Sequence, residues 1–311
     1  MDITLSRLPC AREETDSEPS KTNHILVIVA HPDDEVFVSG TLCLCSSSGF
    51  NVILAFATDG GAGSRELIDR FEAIDSTLDL GTIRRREVAL SAWVLGASEV
   101  LFLNEPDIPP AGWQTQSWDS ERLVKCLKQL IRSYQPTMIL THGPRGGYGH
   151  PAHKALYDCV ITAARQISFG GSIFSFCGQV KGAFFSWRFD DPSDVLIDVR
   201  RFRRRREASL SYHQSANEFF LTPNFPNTLR QYLSALFGLI CFSTPFGRQR
   251  IPIVTPARFF ERLPIEGLVL QQAPGAGPHF FRQHFATAPE VQLTTKKHHS
   301  LVTGKVVDPG K

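Results

Sequence analysis

The sequence predicts an α/β protein, a three-layer α/β/α core around a mostly parallel sheet, with an extra C-terminal α+β segment. Three observations predict it. Short apolar runs rich in β-branched residues alternate with longer stretches of helical character. Glycine, proline and Asp or Ser caps fall at the joints between them. The 311 residues, 42% hydrophobic and 21% charged, have the balance of an ordinary globular domain.

The elements follow in order. Residues 1–22 are polar and acidic and read as a disordered leader. His24–Ala30 is a continuous apolar run, as expected of a strand buried on both faces. Glu35–Ser48 reads as a helix closed by Gly49, and Asn51–Thr58 as a second buried strand. Arg84–Leu95 is a helix with Gly96 at its stop, and Glu99–Leu103 a third strand. Trp118–Tyr134 is a helix begun by Asp119 or Ser120 and ended by Pro136. Thr137–Thr141 is a fourth strand and Pro151–Gln166 a further helix. Alternation of this kind gives a parallel sheet with right-handed crossovers, a Rossmann-like arrangement in which ligands bind beyond the carboxyl ends of the strands.

Beyond residue 170 the pattern loosens. Phe174–Val180, Gly182–Trp187 and Val195–Val199 read as strands and Phe202–Tyr212 as a helix. The expected organisation is a core over residues 23–215, a C-terminal extension over 216–284 packed on it, and a flexible tail over 285–311. Tyr232–Phe246 is the most apolar stretch of the extension. It reads as a buried helix or as one lining an interface or substrate channel.

A net charge of +2 gives no general attraction for nucleic acid or an anionic membrane. No run reaches the ~18 apolar residues of a spanning helix, and the first residues lack a signal peptide's apolar core. The 7 cysteines are odd in number and form no CxxC pair, which fits free thiols in a reducing compartment. A cytoplasmic protein is therefore expected. A homo-oligomer is compatible with the sequence.

Two polar clusters carry the chemistry. Ala30-His31-Pro32-Asp33-Asp34-Glu35 follows the first strand and crowds three carboxylates beside an imidazole. Such carboxylates raise one another's pKa unless a cation neutralises them. Gly146-Gly147-Tyr148-Gly149-His150-Pro151-Ala152-His153 follows the fourth strand and sets two histidines where a loop enters a helix. Taken alone, the first could be a capped helix start, and the second is weaker still. Together, at the ends of two strands of one sheet, they indicate a divalent metal site. Zinc accepts both ligand types, with three protein ligands and one open position in catalytic sites. Iron(II) suits the same donors.

These motifs resemble the LmbE-like or PIG-L superfamily of metal-dependent N-acetylglucosaminyl deacetylases, whose members carry AHPDDE and a later GHxxH. The resemblance covers roughly residues 24–215. It includes Arg84-x-x-Glu87 with Leu95-Gly96 and, less closely, Tyr212-His213-Gln214-Ser215 after Asp198. The resemblance implies that His31, Asp34 and His153 bind zinc and that Asp33 is the general base. It implies that His150 stabilises the oxyanion or protonates the departing amine, that Tyr148 assists the oxyanion, and that one of Arg84, Arg85 and Arg86 meets substrate. The substrate implied is an amino-sugar glycoconjugate losing an N-acetyl or other N-acyl group. A non-catalytic sugar-binding or scaffold member of the same fold is the alternative. It is favoured only by Ala152, where many relatives have a carboxylate thought to orient the first histidine.

Other residues have two readings each. Asp59 ends the second strand and could line the sugar pocket or only make a turn. Asp107, after the third, could hydrogen-bond a sugar hydroxyl. Glu35 could support the site or act as the first-turn acid of a helix. His213 aligns with the family's late histidine and could equally be structural. The run Arg200–Arg206 reads as a solvated basic helix face or, alternatively, as an anion-recognition patch.

Overall fold

The structure, a computed structural model, describes residues 4–7, 23–62, 79–107, 118–147, 149–176, 192–216, 264–272, 279–294, 301–302 and 305–306. Gly182–Trp187, Tyr232–Phe246 and Tyr148 lie outside the described residues.

Nine strands form one sheet. In chain order they are β1 (Thr4–Arg7), β2 (His24–Val29), β3 (Asn51–Phe56), β4 (Ala97–Phe102), β5 (Met138–Thr141), β6 (Ser172–Ser175), β7 (Val195–Asp198), β8 (Ile265–Gln272) and β9 (Val291–Leu293). Their spatial order is β1-β4-β3-β2-β5-β6-β8-β7-β9. All pairings from β1 to β6 are parallel, and those of β8 with β6 and β7, and of β7 with β9, are antiparallel. A two-stranded ribbon, Leu301–Val302 with Lys305–Val306, stands apart from the sheet.

Two segments expected to be irregular therefore join the sheet in part. Thr4–Arg7, inside the expected leader, pairs with β4 as an edge strand. Val291–Leu293, inside the expected tail, pairs with β7. Neither carries a long apolar run, because an edge position asks for little burial.

Five helices follow the sequence pattern closely: α1 (Ser39–Ser47), α2 (Leu80–Leu95), α3 (Ser120–Tyr134), α4 (Pro151–Gln166) and α5 (Arg203–Tyr212). A sixth, α6, spans His279–His284. Asp79 caps α2 through the Thr82 N–H at 2.8 Å, and Gly96 ends it with φ 79°. Asp119 caps α3 through the Arg122 N–H at 3.1 Å. The buried face of α3 is Leu123, Val124, Leu127, Leu130 and Ile131, the stripe an amphipathic helix turns to a sheet. The expected helix over Glu35–Ser48 is two elements, a 3-10 turn over Asp34–Val38 and then α1.

The strand side chains divide the core into two layers, as alternation requires. Ile25, Val27 and Val29 of β2 face the layer holding Val88, Ala92 and Leu95 of α2 and Phe280 and Phe281 of α6. Leu26 and Ile28 face the layer holding the apolar stripe of α3 and Leu156 and Val160 of α4. The described residues include no helix long and apolar enough to cross a membrane.

Strand β2 lies between β3 and β5, so the chain winds outward from it in both directions. The crevice at this reversal lies beyond the carboxyl ends of β2 and β5, the position where such sheets bind ligands. The His31–Glu35 loop leaves β2 there and His142 leaves β5.

Candidate metal centre and active site

The first loop folds back on itself. The His31 N–H donates to Asp34 Oδ2 at 2.7 Å, which turns the other carboxylate oxygen inward. Between them, Asp33 takes φ 102° and ψ −20°, a conformation uncommon for a non-glycine residue. Its side chain makes no capping bond. The reading of this motif as a capped helix start is therefore not what the fold uses.

The second loop supplies His150 and His153. His150 is the N-cap of α4, its Nδ1 accepting from the Ala152 N–H at 3.3 Å, and Pro151 occupies the first helical turn. Three residues on, His153 points back along the helix start. Its Nδ1 lies 3.2 Å from the Gly146 carbonyl, to which it donates. Gly146 has φ 67°, and a Cβ there would lie 2.8 Å from the His150 carbonyl oxygen, so the turn requires glycine.

The loops meet. The Nε2 of His153 is 3.3 Å from Asp34 Oδ1, and the Nδ1 of His31 is 3.4 Å from Asp34 Oδ2. The rings of His31 and His153 are 5.4 Å apart between centroids, and those of His31 and His150 are 4.8 Å apart. Ligand atoms of His31, His150 and His153 all lie within 4.8 Å of one another. A second such group is Asp34, His142 and His153.

His142 was not singled out from the sequence. It is a lone histidine in Thr141-His142-Gly143, and its one signal is its place immediately after β5. Its Nε2 accepts from the Ala30 N–H at 3.0 Å, and its ring stacks on that of His153 at 3.8 Å. With that lone pair taken by the backbone, His142 ties the end of β2 to the end of β5 and steadies His153.

The electrostatics fit a cation. Burial pushes Asp34 up, but the imidazoles of His153 and His142 outweigh it and hold the carboxyl well below its usual range. Burial pushes His153 down to about 4 and, with the neighbouring His153 and His31 rings, pushes His150 down to about 3. Both imidazoles are thus neutral near pH 7, as ligation or hydrogen-bond donation through one nitrogen requires. For His31, burial is outweighed by Asp34 and Asp107, and its pKa is raised. For Asp33, burial and the Asp34 charge push the carboxyl up to about 7 against Arg84 and His213.

The remaining expected residues divide. Asp107 lies at the centre: its Oδ1 is 3.7 Å from His31 Nε2, while its Oδ2 accepts from the Ala62 N–H at 2.8 Å. Asp59 is tied to Arg85 at 3.1 Å and to the Gly61 N–H at 3.1 Å, which is the turn reading. Arg85 also donates to Asn104 and lies over the Phe102 ring at 4.1 Å, so it is committed to the fold. Arg86 is exposed. Arg84 lies over Gly60, where a Cβ would meet its Nη1 at 2.5 Å, and its charge acts on Asp33.

Glu35 and His213 join in the interior. Glu35 Oε1 receives the His213 Nε2 at 2.5 Å and the Ser91 hydroxyl at 2.6 Å, while Oε2 receives the Asp33 N–H at 3.0 Å. Ser215 donates its N–H to Glu87 at 2.9 Å, so the segment after α5 is fastened to α2 as well. The basic run is only partly a solvated face. Arg200, Arg201 and Arg203 pair with Asp198, Glu290 and Glu207. Arg206, 1% exposed, is instead buried against Glu266 at 3.2 Å.

The sequence profile described as PIG-L, GlcNAc-PI de-N-acetylase, matches residues 26–164. The 1D-myo-inositol 2-acetamido-2-deoxy-alpha-D-glucopyranoside deacetylase of Acidothermus cellulolyticus is 30% identical over 231 residues, covering 61% of this chain and 78% of that protein. The chain belongs to the PIG-L family. Other curated relatives carry the same deacetylase name, and the chain spans about half of their length. Among solved structures, the N,N'-diacetylchitobiose deacetylase of Pyrococcus horikoshii aligns with a TM-score of 0.51 and 21% identity over 85% of this chain and 86% of that one. The 4-carboxy-2-hydroxymuconate hydratase GalB of Pseudomonas putida aligns with a TM-score of 0.50 and 15% identity over 82% and 98%. The fold of this PIG-L family member thus also occurs in a protein named as a hydratase. A function has to be argued from the site.

Proposed function

We propose that the chain is a metal-dependent hydrolase that removes an N-acetyl, or another N-acyl, group from a GlcNAc-type amino-sugar conjugate. The observation that carries this is the pairing of Asp34 with both His31 and His153, beside a neighbouring carboxylate, Asp33, that makes no capping bond. The names of the relatives supply the substrate class.

His31, Asp34 and His153 are the proposed ligands, with zinc as the proposed ion. The donor set fits: a neutral imidazole nitrogen and a carboxylate oxygen face each other at 3.3 Å, and neither has a proton for the other. When bound, such an ion lowers the pKa of water to about 7 and polarises the acyl oxygen.

The protein's own groups do the rest. Asp33 takes the proton of the attacking water. Its raised pKa makes it a competent base and lets it keep that proton long enough to return it to the departing amine. His150 accepts at Nδ1 from Ala152, so its proton sits on Nε2, where it can be donated to the oxyanion. The Ala152 N–H thus orients the His150 ring. At a pKa of about 3, His150 is a poor source of a transferable proton, which favours Asp33 as the acid. Loss of one oxyanion donor costs about 3 kcal/mol in such sites. Arg84 and Asp107 are the proposed contacts to sugar hydroxyls, and Tyr148 a further oxyanion donor.

The test is release of acetate from a GlcNAc conjugate by the purified protein, abolished by a chelator and restored by zinc. Restoration by iron(II) alone would replace the metal assignment. No acetate from any N-acetylated amino sugar, with metal bound, would overturn the reaction.

A further inference from the structure

Resting on the reading of Asp33 as the base, we infer that Glu35, braced by His213 and Ser91, is the positioning residue that holds Asp33 in its working conformation. Asp33 sits at φ 102°, and a side chain in that region persists only where its surroundings over-determine it. Its own carboxylate does not hold the turn. Two backbone bonds do: the Asp33 carbonyl accepts from the Val36 N–H at 3.1 Å, and the Asp33 N–H donates to Glu35 Oε2 at 3.0 Å.

Glu35 is built as a bridge. It is fully buried, and its two oxygens divide the work. Oε2 grips Asp33, while Oε1 is anchored to Ser91 on α2 and to His213 beyond α5. Ser91 is in turn bonded to Ser209 of α5 at 2.8 Å. Ser91 and Ser209 are fully buried, and His213 is 1% exposed. A carboxylate is planar and short, so fixing one oxygen fixes the other. The brace therefore transmits the packing of α2 and α5 to the backbone of Asp33.

Glu35 does lie in the first turn of the 3-10 element Asp34–Val38, but it is not the acid at the start of α1. The N–H groups at the start of α1, from Gly40 and Thr41, go to Glu266, each at 2.8 Å. Glu35 is directed away from them. A buried carboxylate–imidazole pair is also an inefficient way to gain stability, since desolvation offsets most of the attraction. Its grip on the backbone N–H of the proposed base is where a displacement would be felt most.

The experiment compares zinc-loaded wild type with His213→Ala, His213→Gln, Glu35→Gln and Ser91→Ala. Three quantities are measured: metal content, kcat and KM for a GlcNAc conjugate, and amide hydrogen exchange at Asp33. His213→Ala is expected to lower kcat roughly 10–100-fold, the usual range for partners lying outside a metal's ligands, with KM and zinc content unchanged. Exchange at the Asp33 amide should accelerate, while that of β2 should not. His213→Gln, which keeps an N–H donor, should recover most of the loss. Ser91→Ala should show the same pattern more weakly, and decides the matter if His213→Ala fails to fold. Loss of kcat in step with zinc content, or wild-type kcat and exchange in both Glu35→Gln and Ser91→Ala, overturns the inference. The exchange measurement needs no turnover. Faster exchange at Asp33 in variants of a protein that releases no acetate upholds the brace and removes the proposed reaction.

Discussion

The Nε2 of His153 faces Oδ1 of Asp34 across 3.3 Å, with the one ring proton held on the far side by the Gly146 carbonyl. Two acceptors held in register call for a cation between them. His153→Ala and Asp34→Asn are therefore expected to weaken zinc binding by more than about 100-fold, beyond the range for partners outside the ligand set. Competition with a chromophoric chelator checks this, and a fully loaded His153→Ala protein would remove that ligand.

Asp33→Ala should behave differently. The Asp33 carboxylate is not among the groups that converge with ligand spacing. Zinc content should stay at the wild-type level while turnover falls by about 10²–10⁴, the contribution of a positioned proton acceptor. Metal loss parallel to activity loss would make Asp33 a ligand instead.

The pH profile carries a sign. Asp33 must be ionised to act as base, and its carboxyl is pushed up to about 7 by burial and by Asp34. A cation on Asp34 cancels part of that repulsion and lowers the value. Rate against pH should accordingly rise with an apparent pKa at or below about 7, and the limb should shift with the metal bound. A rate that rises only well above pH 7 would contradict the assignment.

Arg206 and Glu266 are 1% and 6% exposed and are 3.2 Å apart. Glu266→Ala removes the carboxylate beside the buried Arg206 guanidinium and the acceptor for Gly40 and Thr41. Unfolding by denaturant should show a loss of about 3–5 kcal/mol, the cost of breaking a buried pair. An effect below ~1 kcal/mol would mean that water reaches the pair.

Asp79→Ala should cost about 1 kcal/mol at pH 7 through the lost cap of α2. Hydrogen bonds from Thr82 hold the Asp79 carboxyl below its usual range. A depressed carboxyl contributes stability above the ordinary carboxylate pKa, and that stability is lost as pH falls through the lowered value. The gap between variant and wild type should thus close in acid, as thermal unfolding at pH 7 and pH 3 would show.

The described residues between 24 and 166 are the most legible part of the chain. β2 and β3 are unbroken apolar runs because both faces are covered, and α4 begins and ends at its expected residues because Pro151 sets its first turn. Crowded carboxylates and paired histidines are local in sequence, so the candidate site could be read there. His142 could not, since it has no motif and matters only because β5 lies beside β2. Nor could the union of Glu35 with His213, which pattern reading cannot reach across 178 positions. Separation along the chain also hid Arg206. In a run of basic residues nothing marks the one that turns inward until its partner on β8 is known. β8 itself enters antiparallel between β6 and β7, against the order of the chain.

That late strand has a practical corollary for anyone shortening the gene. A product ending at residue 215 would encode every proposed ligand and the proposed base. It would nevertheless lack Glu266, and with it the two-pronged acceptor that seats the helix directly downstream of Asp33 and Asp34. Such a fragment should be catalytically silent, having lost β8 and the buried partner of Arg206.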